Sequence, residues 1–156
     1  MSAPGEEAAL AAMTAAGLEH LVTRHGRVRS LEEAAAARGV EPAAIIKTLV
    51  VRRAEDDYLF VLVPGDRTIS WPKLRALLGV SRLSMPDAAT AKDVTGYERG
   101  TITPFGALRA WPVIADATMH GTVSIGAGAH GVAATVDAAD LVAALDAQVA
   151  DITDPA

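Results

Sequence analysis

Lys47 is the residue whose placement asks most for a chemical explanation. It is one of three lysines against eleven arginines, and it lies inside Ile45-Ile-Lys-Thr-Leu-Val-Val51, an apolar run where an ammonium is costly unless it has a partner or a task. Lysines so placed act as electrophiles, anion clamps or bases of depressed pKa; the plain alternative is a strand-edge lysine whose head snorkels into water. If Lys47 opens a strand, alternation puts it on the face of Leu49 and Val51. A second dense constellation is Gly100-Thr-Ile-Thr-Pro104 with Phe105 and Gly106, rigid at Pro104 and permissive at the glycines. Such a loop holds backbone N–H groups in a fixed array suited to a carbonyl oxygen or a ribose hydroxyl, although glycine and proline also serve in plain connectors.

Other motifs carry less. Gly126-Ala-Gly-Ala-His-Gly131 has the letters of a dinucleotide-binding G-x-G-x-x-G, but a strand-like run follows where that site needs a helix, so a glycine-rich hairpin lining a pocket is expected instead. Ser70-Trp-Pro-Lys73 matches S-x-x-K without its companion motifs, and a helix cap accounts for Ser70. There is no G-x-S-x-G elbow and no P-loop. His20, His25, His120 and His130 show no i, i+4 pairing, and the absence of cysteine excludes a disulfide, a thiolate nucleophile and a cysteine zinc site, so no metal is expected. Basic residues gather at Arg24, Arg27 and Arg29, at Arg52 and Arg53, and at Arg67, Lys73, Arg75 and Arg82. These are solvated faces unless they converge, in which case they would suit the phosphates of one RNA end. Six aromatic residues make a base-stacking platform unexpected, with Tyr97 the best placed for stacking.

The elements that must position these residues can be read from caps and periodicity. Alanine supplies 33 of 156 residues, concentrated at 8–16, 34–37 and 138–147, which read as helices. Ser30-Leu-Glu-Glu33 is a capping box, starting a helix at Leu31 that Gly39 ends. Glu41-Pro42 opens a short helix. Lys47 to Val51 and Tyr58 to Val63 form a hairpin, Pro64-Gly65-Asp66 is a turn, and Ser70 caps a helix that Gly79 stops. A short strand is expected at Val80 to Leu83 and a helix at Ala88 to Val94, followed by an ordered loop from Gly96 to Gly106. Strands follow at Trp111 to Ile114, Thr122 to Ile125 and Val132 to Val136. Asp137 caps a last helix with Leu141, Val142 and Leu145 inward, and Asp151 to Ala156 should fray. With no regular βαβ alternation, the expected class is α/β of the α+β type, a mixed, partly antiparallel sheet surrounded by helices.

The length suits one domain over 1–156. No window approaches 18 uninterrupted apolar residues, and Glu6 and Glu7 stand where a leader would be basic and then apolar, so a cytoplasmic protein away from membranes is expected. A net charge of −5 and a pI near 5.3 argue against an indiscriminate nucleic-acid binder, and DNA is not an expected partner.

Lys47-Thr-Leu-Val, Val63-Pro-Gly-Asp66, Lys73-Leu-Arg-x-Leu-Leu-Gly79, Thr95-Gly-Tyr97, Gly100-x-x-x-Pro104-Phe-Gly106 and Asp140-Leu141 together resemble, in order and spacing, the YbaK/prolyl-tRNA synthetase-associated editing domain, from about Leu31 to Leu145. The resemblance implies a curved mixed sheet surrounded by helices and a trans-acting hydrolase of the ester on mischarged tRNA. Its partners would be the tRNA 3′ acceptor end and a prolyl-tRNA synthetase; no cofactor is implied. Lys47 matches the family's catalytic-site lysine, and Gly100 to Pro104 (through Thr101, Ile102 and Thr103) its G-x-x-x-P loop, with Phe105 and Gly106 following. Ser124 to Gly131, including Gly126, Ala127, Gly128 and His130, matches the glycine-rich strand and turn that closes the pocket, and Asp116 an acidic residue after the preceding strand. Thr48 and the Thr-Gly-Tyr element resemble the branch that clears cysteinyl-tRNA(Pro). Ala129-His130 replaces that branch's Lys-Arg pair, and Thr101 stands where glycine is usual. A catalytically silent binder of tRNA or of a synthetase is the alternative those departures leave open.

Overall fold

A computed structural model describes residues 4–156; the first three residues of the acidic start lie outside the described residues. The centre of the architecture is β3 (Asp57–Pro64), buried from Tyr58 to Pro64 because it is covered on both faces. That is why its sequence is a continuous apolar run without alternation. It pairs antiparallel with β2 (Ile46–Ala54) and parallel with β5 (Val113–Asp116), which is parallel to β8 (Gln148–Ala150). A second sheet, ordered β1 (Leu21–Arg24), β7 (Val132–Asp137), β6 (Thr122–Gly126), is antiparallel throughout. A single parallel bridge between Ile45 and Ser124 joins β6 to the head of β2.

The two faces of β3 feed two cores. Tyr58, Phe60 and Leu62 pack with Met13 of α1 (Pro4–Ala15), with Ile125 and Val136, and with Leu141 of α5 (Ala138–Leu145). Leu59, Val61 and Val63 pack with Val51, Ile114, Ile152 and Leu74 of α3 (Trp71–Leu78). The cap signals perform as their chemistry requires. Ser30, Ser70, Asp87 and Asp137 each accept from the backbone N–H three residues on, opening α2 (Leu31–Arg38), α3, α4 (Ala88–Thr95) and α5; left-handed Gly39, Gly79 and Gly96 end the first three. Glu41-Pro42 yields one 3-10 turn, Pro42–Ala44.

Several expectations fail for identifiable reasons. Val80 to Leu83 is not a strand; the backbone pairs with β2 just beyond it, at Ser84, which exchanges both hydrogen bonds with Arg52. The strand after Trp111 begins at Val113, because Trp111 is held edge-on to Tyr58 with Arg109 over its ring and its Nε1–H on the Val94 carbonyl. The inward face of α5 is as expected: Leu141 is fully buried, and Val142 and Leu145 are half-buried against the same core. The short strands β1, β4 (Arg67–Ile69), β8 and β9 (Thr153–Pro155) carry no apolar alternation to announce them. Asp151 to Ala156 does not fray: β9 pairs antiparallel with β4, Ile152 is fully buried, and Lys73 bonds Asp151, Asp154 and the Thr153 carbonyl. Among the described residues no helix is long and apolar enough to cross a membrane.

Candidate functional site

A cavity of about 590 Å³ opens along the outer edge of β2. Lys47, Thr48, Gly100, Ile102 and Gly126 line it, so the lysine, the glycine-proline loop and the glycine-rich hairpin meet at one place; Arg38 at the end of α2 also lines it. β2 is an edge strand in its sheet, with its outer side bridged, among the described residues, only at Ile45 and Arg52. The Arg52 N–H and C=O both point outward to Ser84. Because peptide directions alternate in a strand, those of Val50 and Thr48 point outward too, toward the cavity. The Thr48 hydroxyl is buried and has no hydrogen-bond partner among the described residues, a state that a folded interior rarely tolerates.

Lys47 obeys the alternation expected of it. Its ammonium donates to the Arg67 carbonyl at 2.9 Å, and burial pushes its pKa down while the nearby Asp66 charge opposes the shift. Arg67 is fastened in turn, its Nε donating to the Thr153 hydroxyl at 2.6 Å and lying 3.9 Å from Asp116. Asp116 therefore does not line the cavity but stands behind Lys47, buried as the last residue of β5 rather than after it. Burial would raise its pKa, yet hydrogen bonds from Thr118, Thr153 and the Ile152 N–H overcome it and hold the carboxyl below the usual range.

The loop alternates. Thr101 and Thr103 are buried, Thr101 donating to the Glu98 carbonyl and Thr103 accepting from the Phe105 N–H, while Ile102 between them meets the cavity. Phe105 belongs to the core, and Pro104 and Gly106 lie off the cavity lining. The glycine-rich turn lies against this loop: the Gly128 N–H donates to the Thr101 carbonyl at 3.1 Å, and a side chain on Gly128 would strike the Gly5 carbonyl oxygen at 2.3 Å. Ala127 is buried in the core, and exposed His130 pairs with Glu98 at 3.2 Å, its ring near Gly100. Tyr97 is not available for stacking. It is buried, its hydroxyl donates to the Phe105 carbonyl at 2.6 Å, and burial pushes its pKa up to about 12.

Arg38 was not singled out by its sequence context, although its position was readable. It lies four residues after Ala34 and three after Ala35, the buried pair of α2, so it shares their inward face. Its guanidinium makes only long contacts, 3.4 Å to His25 Nε2 and 3.4 Å to the Ser124 hydroxyl; burial lowers its pKa, and no carboxylate pairs with it among the described residues. A desolvated guanidinium without a counterion is suited to an incoming anion. No group of three or more metal-ligating side chains comes together among the described residues.

The model of the aminoacyl-tRNA editing domain matches residues 25–144, a span containing every cavity residue named above. The chain belongs to the aminoacyl-tRNA editing domain family. This editing domain is 38% identical over 102 residues to a proline–tRNA ligase of Pelotomaculum thermopropionicum, a match covering 65% of the chain and 18% of the ligase. It is 37% identical over 112 residues to the proline–tRNA ligase of Desulfovibrio desulfuricans, covering 72% of the chain and 19% of that protein. The editing domain thus spans less than a fifth of the ligases it resembles. Its fold matches that of a candidate trans-editing enzyme for prolyl tRNA synthetase at a TM-score of 0.88, with 24% identity over 99% of both chains. A hypothetical protein of known structure matches at 0.81, with 26% identity over 91% of this chain and 96% of that one.

Proposed function

We propose that this editing domain hydrolyses, in trans, the ester joining a wrong amino acid to the 3′ end of a transfer RNA, with cysteinyl-tRNA(Pro) its first expected substrate. The reading rests above all on Lys47 and Thr48 lining one cavity together with Gly100 and Ile102 of the glycine-proline loop. An aminoacyl ester is already activated, so aligned donors and a placed water suffice without a protein nucleophile. Attack of water on the ester carbonyl puts negative charge on its oxygen. The outward Thr48 N–H is a donor for that oxygen or for the terminal ribose. Lys47, with one N–H bonded to Arg67, keeps two donors and a positive charge. The substrate's own 2′-hydroxyl can relay the proton to the departing 3′-oxygen.

The test is ester hydrolysis over tRNA(Pro) charged with cysteine, alanine, serine or threonine, comparing the native protein with Lys47→Ala. Rapid loss of one species, slowed at least 100-fold by the substitution at an unchanged melting temperature, is the expected result, in line with removing one transition-state donor (about 10²–10³-fold). Intact tRNA binding with unaltered lifetimes of all four esters would replace this reading with that of a silent tRNA-binding module.

A further inference from the structure

The first turns of α1 touch both loops of the site. Gly5 and Gly128 meet backbone to backbone: a methyl on Gly5 would lie 2.2 Å from the Gly128 carbonyl oxygen, and one on Gly128 would lie 2.3 Å from that of Gly5. One turn further along α1, the Ala8 carbonyl oxygen would be 2.5 Å from a methyl on Gly106, which follows the glycine-proline loop. Contacts this close exist only where glycine leaves room for another backbone. The Tyr97 ring fills the space between the three glycines, with its edge beside Gly5 and Gly128 and its hydroxyl beside Gly106. From there the hydroxyl donates to the Phe105 carbonyl at 2.6 Å. None of these residues lines the cavity, yet the segments they join supply Gly100, Ile102 and Gly126 to it.

A charge fixes where α1 sits. Glu6 is 1% exposed, and the Arg24 guanidinium at the end of β1 donates to its Oε1. A carboxylate buried to that degree is costly without its partner, so α1 cannot slide over the loops without breaking the pair. β1 is stitched to the same glycine-rich turn at its other end: Arg24 stands opposite Val132 in β7, and the His25 N–H donates to the Gly131 carbonyl at 2.9 Å. The turn is therefore gripped twice, by α1 at Gly128 and by the end of β1 at Gly131. Its Gly128 N–H in turn holds the Thr101 carbonyl. Because a peptide is planar and trans, a Thr101 carbonyl aimed at Gly128 sends the Ile102 N–H the opposite way, which sets the direction of one of the loop's backbone donors.

We infer that the start of α1 is a positioning element for the ester-hydrolysing site: Gly5 and Ala8, held in place by the Glu6–Arg24 pair, set the spacing between the Gly100 to Pro104 loop and the glycine-rich turn, and so the aim of the loop's backbone donors. The inference rests on the function proposed above for its reaction, but part of its test does not need turnover. Gly5→Ala is the direct variant, because alanine suits a helix better than glycine and its methyl parts α1 from Gly128. It is compared with native protein, with Arg24→Gln and Arg24→Lys, and with a control, Gly26→Ala, whose methyl would meet nothing within 4 Å. On the tRNA(Pro) ester that the native protein clears fastest, Gly5→Ala should lower kcat about 10- to 100-fold, as expected of a small misplacement, with KM within about two-fold. Arg24→Gln should lower kcat in the same way and Arg24→Lys, which keeps the charge, should recover most of it. The Gly128 amide of Gly5→Ala should exchange its hydrogen at least 10-fold faster while Leu59 to Val63 keep native protection, and the control should match native protein throughout. An unchanged kcat per folded molecule, an equal loss in the control, or equally faster exchange at Leu59 to Val63 would each overturn the inference. If the native protein hydrolyses no ester, the function proposed above fails, and the brace is decided by exchange together with affinity for an adenosine bearing cysteine through a 3′-amide. Faster Gly128 exchange with weakened amide binding in Gly5→Ala upholds it, and native values of either overturn it.

Discussion

At the scale of single residues, Thr48 and Asp116 make opposite predictions. The Thr48 hydroxyl has no partner where it is buried, so Thr48→Val removes an unmet polar group and should leave the melting temperature unchanged or higher. If the hydroxyl serves substrate, the same variant should lower kcat/KM about 10-fold; thermal melts beside single-turnover rates check both. Asp116 is satisfied by several donors, and Asp116→Asn should cost about 1–3 kcal/mol in urea unfolding. Its folded pKa lies below the unfolded value of about 3.9, so its stabilisation is complete above that value and is lost as pH falls through the folded pKa. Native stability should therefore decline below about pH 4 more steeply than that of Asp116→Asn. The sequence made Lys47 legible because a charge inside an apolar run is anomalous on its face. It left Arg38 unremarked because an arginine in a helix's last turn is ordinary, and only its spacing from Ala34 and Ala35 sets it inward.

At the scale of elements, legibility follows the strength of local chemistry. Caps and continuous apolar runs located α2, α3, α4, α5 and the β2–β3 hairpin closely, since each is decided by contacts within a few residues. The strands that escaped notice, β1, β4, β8 and β9, are three or four residues long and exist because a distant edge receives them. β9 matters most. Its neighbour Ile152 is fully buried among Val61, Val63 and Leu74, and Ile152→Ala should destabilise by about 2–5 kcal/mol. Guanidinium unfolding measures this. A cost under 1 kcal/mol would mean the segment frays as its sequence suggests.

For the whole molecule, stability should not be uniform. β3 is covered on both faces and paired on both sides, whereas among the described residues the two sheets meet in register only at Ile45 and Ser124. Hydrogen exchange should therefore release the amides of Leu59 to Val63 last, near the global unfolding free energy, and those of β1 and β4 much earlier. Exchange of β1 as slow as that of β3 would show that the seam is as firm as the sheet.

The clasp between β4 and β9 ties the order of synthesis to the order of assembly. The strands β2 and β3, with Lys47 among them, are made early, but the Arg67 whose carbonyl holds Lys47 is itself fastened by Thr153, more than eighty residues later. A growing chain thus has its central hairpin long before its lysine is fixed. Full setting of the site must wait until those late residues have left the ribosome and closed against β4.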